Sequence, residues 1–370
     1  MILRLNSEES ITYGGYVVQR IIGAKPSAPA RNKPVVPALV VASALTSPPP
    51  AAHRVVIDEG SEGQRLDNFL VKLLKGVPKT HVYRVIRSGE VRVNKGRAAA
   101  DTRLALGDEV RIPPVRVADR SEVPAAPPRE FTVVFEDEHL MAIDKPAGVA
   151  VHGGSGVSFG VIEQLRRARP TAKFLELVHR LDKETSGLLL IAKRRSALVA
   201  LQDQLRMHSG EKVIGKTYAA LVIGAWPARK KVIDVALNKV LSAEGERRVH
   251  VVGDDHETGR RSITLVKVAR QFDGFALLDV TIKTGRTHQI RVHLTHEGHP
   301  IAGDEKYGDF ALNKALAKGA AVPGVRFDRM FLHAKELRFA HPATGEVIAL
   351  AAPLPAECEA LLHALATART

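Results

Sequence analysis

Chemistry is most legible where a polar loop runs into a strongly apolar stretch. Arg180 and Asp182 stand two apart in Leu177-Val178-His179-Arg180-Leu181-Asp182-Lys183-Glu184-Thr185-Ser186, directly ahead of Gly187-Leu188-Leu189-Leu190. Charged side chains at the mouth of a buried strand suit a site, because the strand holds the loop that carries them. Taken alone, Arg-x-Asp fits a structural ion pair better. His288, His293, His296 and His299 invite a metal reading, but His296-Glu297-Gly298-His299 is one residue short of the His-Glu-x-x-His spacing. His152-Gly153-Gly154-Ser155-Gly156 is Gly-rich and follows an apolar run, yet it lacks the Lys-Ser/Thr of a P-loop. Phe159 stands where a dinucleotide fingerprint starting at Gly154 needs Gly. That segment reads as a loop near the site. No metal and no cofactor is implied.

The elements that must position these residues fall into two blocks. Residues 1–52 are rich in Pro, Ala, Val and Ser with neither a helical nor a strand period, and read as a disordered extension. A module over 53–116 follows. Leu66, Phe69, Leu70, Leu73 and Leu74 form one helical face, and Gly76 and Pro78 end it. A second helix is expected over 79–88, then short strands at Val91-Arg92-Val93 and Val110-Arg111-Ile112 with a turn at Asn94-Lys95-Gly96. Residues 117–130 read as a linker, and 131–370 as a larger unit. Its strand candidates (131–135, 140–143, 188–192, 218–223, 275–282, 347–351) alternate irregularly with helices such as 196–207. That predicts an α+β fold with a largely antiparallel mixed sheet flanked by helices and loops.

Composition narrows the partner. The 370 residues hold 54 Lys and Arg against 40 Asp and Glu, a net charge of +14, which suits a polyanion such as nucleic acid or an anionic membrane face. The apolar run from Val35 to Leu45 is interrupted by Pro37, too short to span a bilayer and a poor signal peptide. The single cysteine, Cys358, excludes an internal disulfide and a Cys-based zinc site and points to a reducing, cytoplasmic home. Between 72 and 97, Lys72, Lys75, Lys79, Arg84, Arg87, Arg92, Lys95 and Arg97 face a single acidic residue, Glu90. Such a density can follow a phosphate backbone. Through Gly63-Gln64-Arg65-Leu66-Asp67, Gly89-Glu90-Val91-Arg92-Val93-Asn94 and Gly107-Asp108-Glu109-Val110 the module resembles the S4 RNA-binding domain, whose first two helices meet RNA by shape and phosphate.

The full string from Leu177 to Leu190 resembles the signature of the RluA family of pseudouridine synthases. Lys216-Thr217-Tyr218-Ala219-Ala220-Leu221-Val222 is similar to that family's second motif, and Gly285-Arg286-Thr287-His288-Gln289-Ile290-Arg291-Val292-His293 to its third, in the right order. Lys145-Pro146-Ala147-Gly148, Gly298-His299-Pro300-Ile301 and Leu332-His333-Ala334 also fit, so the resemblance spans roughly 55–355. It implies that Asp182 is the catalytic carboxylate, either attacking the anomeric carbon or taking the neighbouring sugar proton. A carboxylate in a dry pocket needs a cation to stay charged, and the resemblance gives Arg291 that task. A strand-surface arginine is the plainer alternative. By the same resemblance Tyr218 packs against the uracil, Leu332 forms the floor beneath it, and Arg180 fills the place of a base flipped from its stack.

Three further stretches resemble the branch that modifies several uridines of 23S ribosomal RNA. They are Leu74-Lys75-Gly76-Val77-Pro78-Lys79, Ile112-Pro113-Pro114-Val115-Arg116 and Val151-His152-Gly153-Gly154-Ser155-Gly156. That RNA, or a large-subunit assembly intermediate, is the expected partner. No membrane or protein partner is implied, and a monomer is expected. A sibling branch with other target uridines shares the motifs. A ribosome-assembly factor without essential catalysis is the competing class, but it has no need to keep Asp182, Tyr218 and Arg291 together.

Overall fold

The structure, a computed structural model, describes residues 52–74, 76–115, 126–154, 157–207, 214–241, 247–253 and 255–367. The expected extension over 1–52 lies outside these except for its last residue, as do Lys75, Ser155, Gly156 and most of the expected linker.

The first sheet is small. Strand β1 (His53–Val56) is followed by helices α1 (Leu66–Leu73) and α2 (Lys79–Arg87) and by β2 (Arg92–Val93), β3 (Gly96–Arg97) and β4 (Glu109–Ile112). The strands run in the order β1-β4-β2-β3, all antiparallel. Leu66, Phe69 and Leu70 of α1 and Val82, Val85 and Ile86 of α2 close on Ile57, Val91, Leu104, Val110 and Ile112 as one core. Each such side chain contributes about 1.5–3 kcal/mol by leaving water. Asn94 and Lys95 both take positive φ, the geometry of a tight hairpin turn between β2 and β3. Buried Asp67 ties the two helices together: it accepts from Arg65 at 2.8 and 3.1 Å and from the Tyr83 hydroxyl at 3.0 Å. The Arg65 bond above all holds its carboxyl below the usual range.

The second sheet is larger. Its elements are β5 (Thr132–Glu136), β6 (Leu140–Lys145), α3 (Val161–Ala168), β7 (Glu176–Leu177), β8 (Ser186–Ala192), α4 (Arg195–Arg206), β9 (Gly215–Ile223), β10 (Val232–Leu241), β11 (Arg247–Val252), β12 (Arg260–Gln271), β13 (Phe275–Ile282), α5 (Gln289–His296), α6 (Phe310–Lys318), β14 (Leu332–Ala340), β15 (Val347–Ala351) and α7 (Ala356–Thr367). The sheet order is β11-β10-β12-β13-β9-β14-β8-β6-β5, with β15 on β14 and β7 on β8. Only the short β14/β8 pairing, His333 opposite Ser186 and Ala334 opposite Gly187, is parallel among the described strands. Strand β14 is therefore the seam between two antiparallel halves.

The apolar run of β8 is buried on both faces. Leu189 and Ile191 join Met141 and Ile143 of β6 in one core, while Leu188, Leu190 and Ala192 join Leu140 and Ala142 in the other. That two-sided burial accounts for a strand that shows no alternation. The two sheets' bodies touch at β7: Glu176 pairs with Lys72 of α1 at 2.8 Å and with Arg166 of α3 at 2.9 Å. Arg195 also donates to the Glu62 carbonyl at 3.0 Å.

Of the Gly-rich stretch, Gly153 and, further on, Gly160 donate to the Glu163 carboxylate at 3.1 and 2.8 Å, fastening this loop to the start of α3. His152, Gly153 and Gly154 are not among the residues lining the Asp182 cavity. The glycines serve close approach, since a Cβ on Gly160 would lie 2.4 Å from the His152 nitrogen.

Candidate active site

Asp182 sits in the loop between β7 and β8, and that loop is fixed from three sides. The Leu190 N–H donates to His179 Nε2 at 3.2 Å, and the Val178 N–H reaches the Leu190 carbonyl at 3.0 Å. The third tether is Lys145 at the end of β6, wholly buried, whose Nζ donates to the carbonyls of Pro146, Val149 and Lys183 at 2.8, 2.9 and 3.1 Å. Three acceptors match the three N–H bonds of an ammonium. Burial pushes this lysine down to about 7, with Glu184 the strongest charge opposing the shift. Gly187 then allows β8 to lie against β14. Its φ is +106°, and a Cβ there would be 2.3 Å from the Ala334 carbonyl oxygen.

Arg291 comes from α5, a buried helix position and not a strand surface. Its guanidinium stands between two carboxylates and divides itself unequally. Nε and Nη2 each donate to Asp304 at 2.7 Å, while Nη1 faces Asp182 Oδ2 at 3.5 Å. The first pair are short charge-assisted bonds; the second contact is an ion pair at the limit of hydrogen-bond length. Burial opposes the charge on Arg291, yet the hydrogen bonds and charge of Asp304, with Asp182 behind them, raise its pKa. Asp304 is itself buried, and Arg291 together with the backbone N–H groups of Tyr307 and Lys306 overcomes that burial to lower its pKa.

His288 caps α5 in the left-handed region at φ +51°. This turns the ring so that Nδ1 meets the Tyr307 hydroxyl at 2.9 Å and Nε2 lies 3.8 Å from Asp182. Burial, only partly offset by Asp182, lowers its pKa, so the ring is neutral at pH 7. The Tyr307 hydroxyl also accepts from the Val249 N–H at 3.1 Å, and Arg291 lies 5.0 Å from the ring centre of Tyr307.

Tyr218 of β9 and Leu332 of β14 complete the walls, both buried. Asp182, Tyr218, Arg291, Leu332 and Arg180 all line one cavity of about 550 Å³. Burial and the Asp182 charge keep the Tyr218 phenol protonated well above its ordinary range. Exposed Arg180 stands beside Arg206, Lys283 and Arg286 among the lining residues. A larger cavity of about 720 Å³, bordered by Arg129, Asp144, Arg329 and Leu354, contains none of the expected site residues. One carboxylate against a cation, an aromatic wall, an apolar floor and a basic mouth can hold a flat, uncharged ring carried on a polyanion.

The sequence singled out five of these cavity residues and missed Asp304, His288, Tyr307 and Lys145 in their structural roles. Of the four histidines that suggested a metal, His288 is placed as above, His299 Nδ1 faces the Ile223 carbonyl at 2.9 Å, and His293 is buried. Of the basic residues in the small module, Lys79, Arg84, Arg87, Lys95 and Arg97 are exposed, Arg92 is half-buried, and Lys72 is exposed but paired with Glu176.

Comparison with known proteins gives the same two parts. The family model for RNA pseudouridylate synthase matches residues 139–296, and that for the S4 domain matches 64–110. Ribosomal large subunit pseudouridine synthase C of Yersinia pestis is 48% identical over 322 residues, covering 85% of this chain and 96% of the relative. Its counterpart in Escherichia coli (strain K12) is 47% identical over 326 residues, covering 86% and 98%. Among solved structures, Human RNA Pseudouridylate Synthase Domain Containing 4 is similar with a TM-score of 0.50 and 25% identity, over 64% of this chain and 93% of that one.

Proposed function

This chain belongs to the RNA pseudouridylate synthase family, and from that premise we propose that it isomerises uridines of 23S ribosomal RNA with Asp182 as the catalytic carboxylate. It is an α+β enzyme joining an S4 domain to a pseudouridine synthase domain. The name shared by its relatives supports a large-subunit RNA substrate. The observation that carries the site is the meeting of Asp182 and Arg291, 109 residues apart in sequence, in one cavity with Tyr218 and Leu332.

The reaction breaks the N-glycosidic bond, turns the uracil and joins its C5 to the same sugar carbon. C5 gives up its proton and N1 gains one, so the product is an isomer, and the site has to retain the base and keep water from C1′. A glycosidase uses two carboxylates to manage a leaving group and a water; here a single carboxylate, among the described residues, lines the cavity. Asp182 acts at C1′ as nucleophile or at C2′ as base, and both routes use a carboxylate oxygen of the group that faces Arg291. Tyr218 supports one face of the ring and Leu332 the floor. A uridine inside folded RNA reaches them only by leaving its stack, at a cost of a few kcal/mol, and Arg180 at the mouth takes the vacated place.

Residues 53–116 hold the RNA by phosphate and shape in this reading, and 131–370 carry the reaction. The protein works in the cytoplasm as a monomer; no helix among the described residues is long and apolar enough to cross a membrane. The test is Asp182→Asn. Pseudouridine in large-subunit RNA, mapped by carbodiimide treatment and primer extension, should vanish while RNA affinity changes little. Undiminished modification by the variant would remove Asp182 from the mechanism. Activity of the unaltered protein should persist in the presence of chelators.

A further inference from the structure

Lys216 stands two residues before Tyr218 in β9, so the two side chains leave the same face of the strand about 7 Å apart. Both line the cavity that holds Asp182. Burial rises along β9: Gly215, Lys216 and Thr217 are half-buried, and Tyr218 to Val222 are buried. Lys216 is therefore nearer the mouth and Tyr218 deeper.

The ammonium has no carboxylate partner among the described residues, and burial pushes it down to about 8. The loop before β8 brings His179, Arg180 and Asp182 to this cavity, α4 brings Arg206, and the loop after β13 brings Lys283 and Arg286. Among the described residues Asp182 is the one carboxylate in that lining, and its ion pair is with Arg291. His179 is neutral: burial, with Lys216's charge adding to it, lowers its pKa to about 3. Gly285 lies close by: a Cβ there would stand 3.6 Å from Lys216 Nζ, in ordinary contact. An unpaired cation taken partly out of water is costly until an anion arrives to pair with it.

With a uracil on Tyr218, the anion that lies some 7 Å outward is the nucleotide's own backbone phosphate. We propose that Lys216 is the seat for a phosphate flanking the flipped uridine, an anchor that sets the sugar over Asp182. The inference rests on the cavity being the uridine site.

The test uses the full chain and a fragment of large-subunit RNA containing one uridine that the wild-type protein converts. The fragment carries native linkages, or a neutral methylphosphonate at the phosphate before or after that uridine. On native RNA, Lys216→Met should lower kcat/KM by roughly 10- to 100-fold, the worth of one charge-assisted bond, and Lys216→Arg should retain most of it. One of the two methylphosphonates should penalise the wild type by a similar factor and Lys216→Met no further, since a shared contact is lost only once. In the wild type, kcat/KM should also fall as pH rises through about 8, where the ammonium loses its proton. Lys216→Arg should abolish that fall. Equal penalties in the wild type and Lys216→Met from both methylphosphonates, or a Lys216→Met enzyme as active as the wild type, would overturn the assignment. If no large-subunit RNA fragment were converted by the wild type, the uridine reading itself would instead sink.

Discussion

Arg291 is the residue on which the charge balance of the cavity turns. Asp304 takes two of its N–H groups at 2.7 Å and leaves Nη1 for Asp182 at 3.5 Å, so the guanidinium is aimed by a carboxylate outside the cavity lining. Asp304→Asn keeps the shape but loses the charge and one acceptor. Arg291 should then swing toward Asp182, with kcat falling about 10²-fold and KM changing little, as steady-state kinetics would register. A stability effect follows from the same pair. Because the folded pKa of Asp304 is lowered, its contribution is complete above the ordinary carboxylate value and is lost as pH falls through the lower folded value. Asp304→Asn should flatten that acid limb in denaturation experiments over a pH series. Asp304 was not legible beforehand, for between Gly303 and Glu305 it looks like any turn aspartate. Lys145 was quoted only as part of a motif, and its burial runs against every expectation for lysine. Asp182, Tyr218 and Arg291 could be read because ordered motifs surround them; the residues that hold them in place owe their meaning to contacts that no local spacing encodes.

Among the elements, those with dense apolar or helix-forming sequence were better anticipated than those broken by polar residues. The strands at 188–192, 275–282 and 347–351 and the helix near 196–207 carry dense apolar or helix-forming sequence, and the structure has all four. Strands β10, β11 and β12 went unread because Asn238, Lys239, Arg248, Arg260 and Arg261 interrupt their apolar positions, and β12 also shifts register between Val268 and Arg270. Helix α5 is capped by a histidine in a left-handed conformation, which carries no sequence signal of its own. The meeting of β8 with β14 depends on one position. Gly187→Ala would bring a methyl group to 2.3 Å from the Ala334 carbonyl oxygen at a φ that alanine resists. The expected cost is about 2–5 kcal/mol, strain and overpacking together, measured by urea denaturation. Activity should fall with it, because Asp182 lies in the loop that leads into this strand.

For the molecule as a whole, positive charge is spread over two bodies, and part of it is already spent. Lys72 was expected to meet RNA, but Glu176 holds it at 2.8 Å. Arg87 is exposed with no such partner described. Arg87→Ala should therefore lower the slope of log affinity against log salt by about 1, and Lys72→Ala by clearly less. Equal slopes in a titration over a salt series would show that RNA displaces Glu176. The seam strand β14 has a consequence for how the chain is made. Strands β5 to β13 emerge first, as two partial sheets whose facing borders, β9 and the start of β8 at Ser186 and Gly187, lack their partner until residues 332–340 arrive to join them. Until then the nascent polypeptide carries two sticky edges and no finished pocket. Closure spans well over a hundred residues of sequence, the slow kind of contact. A ribosome that stalls or stops before Leu332 releases a product prone to aggregate, and the enzyme gains its activity among the last events of its own folding.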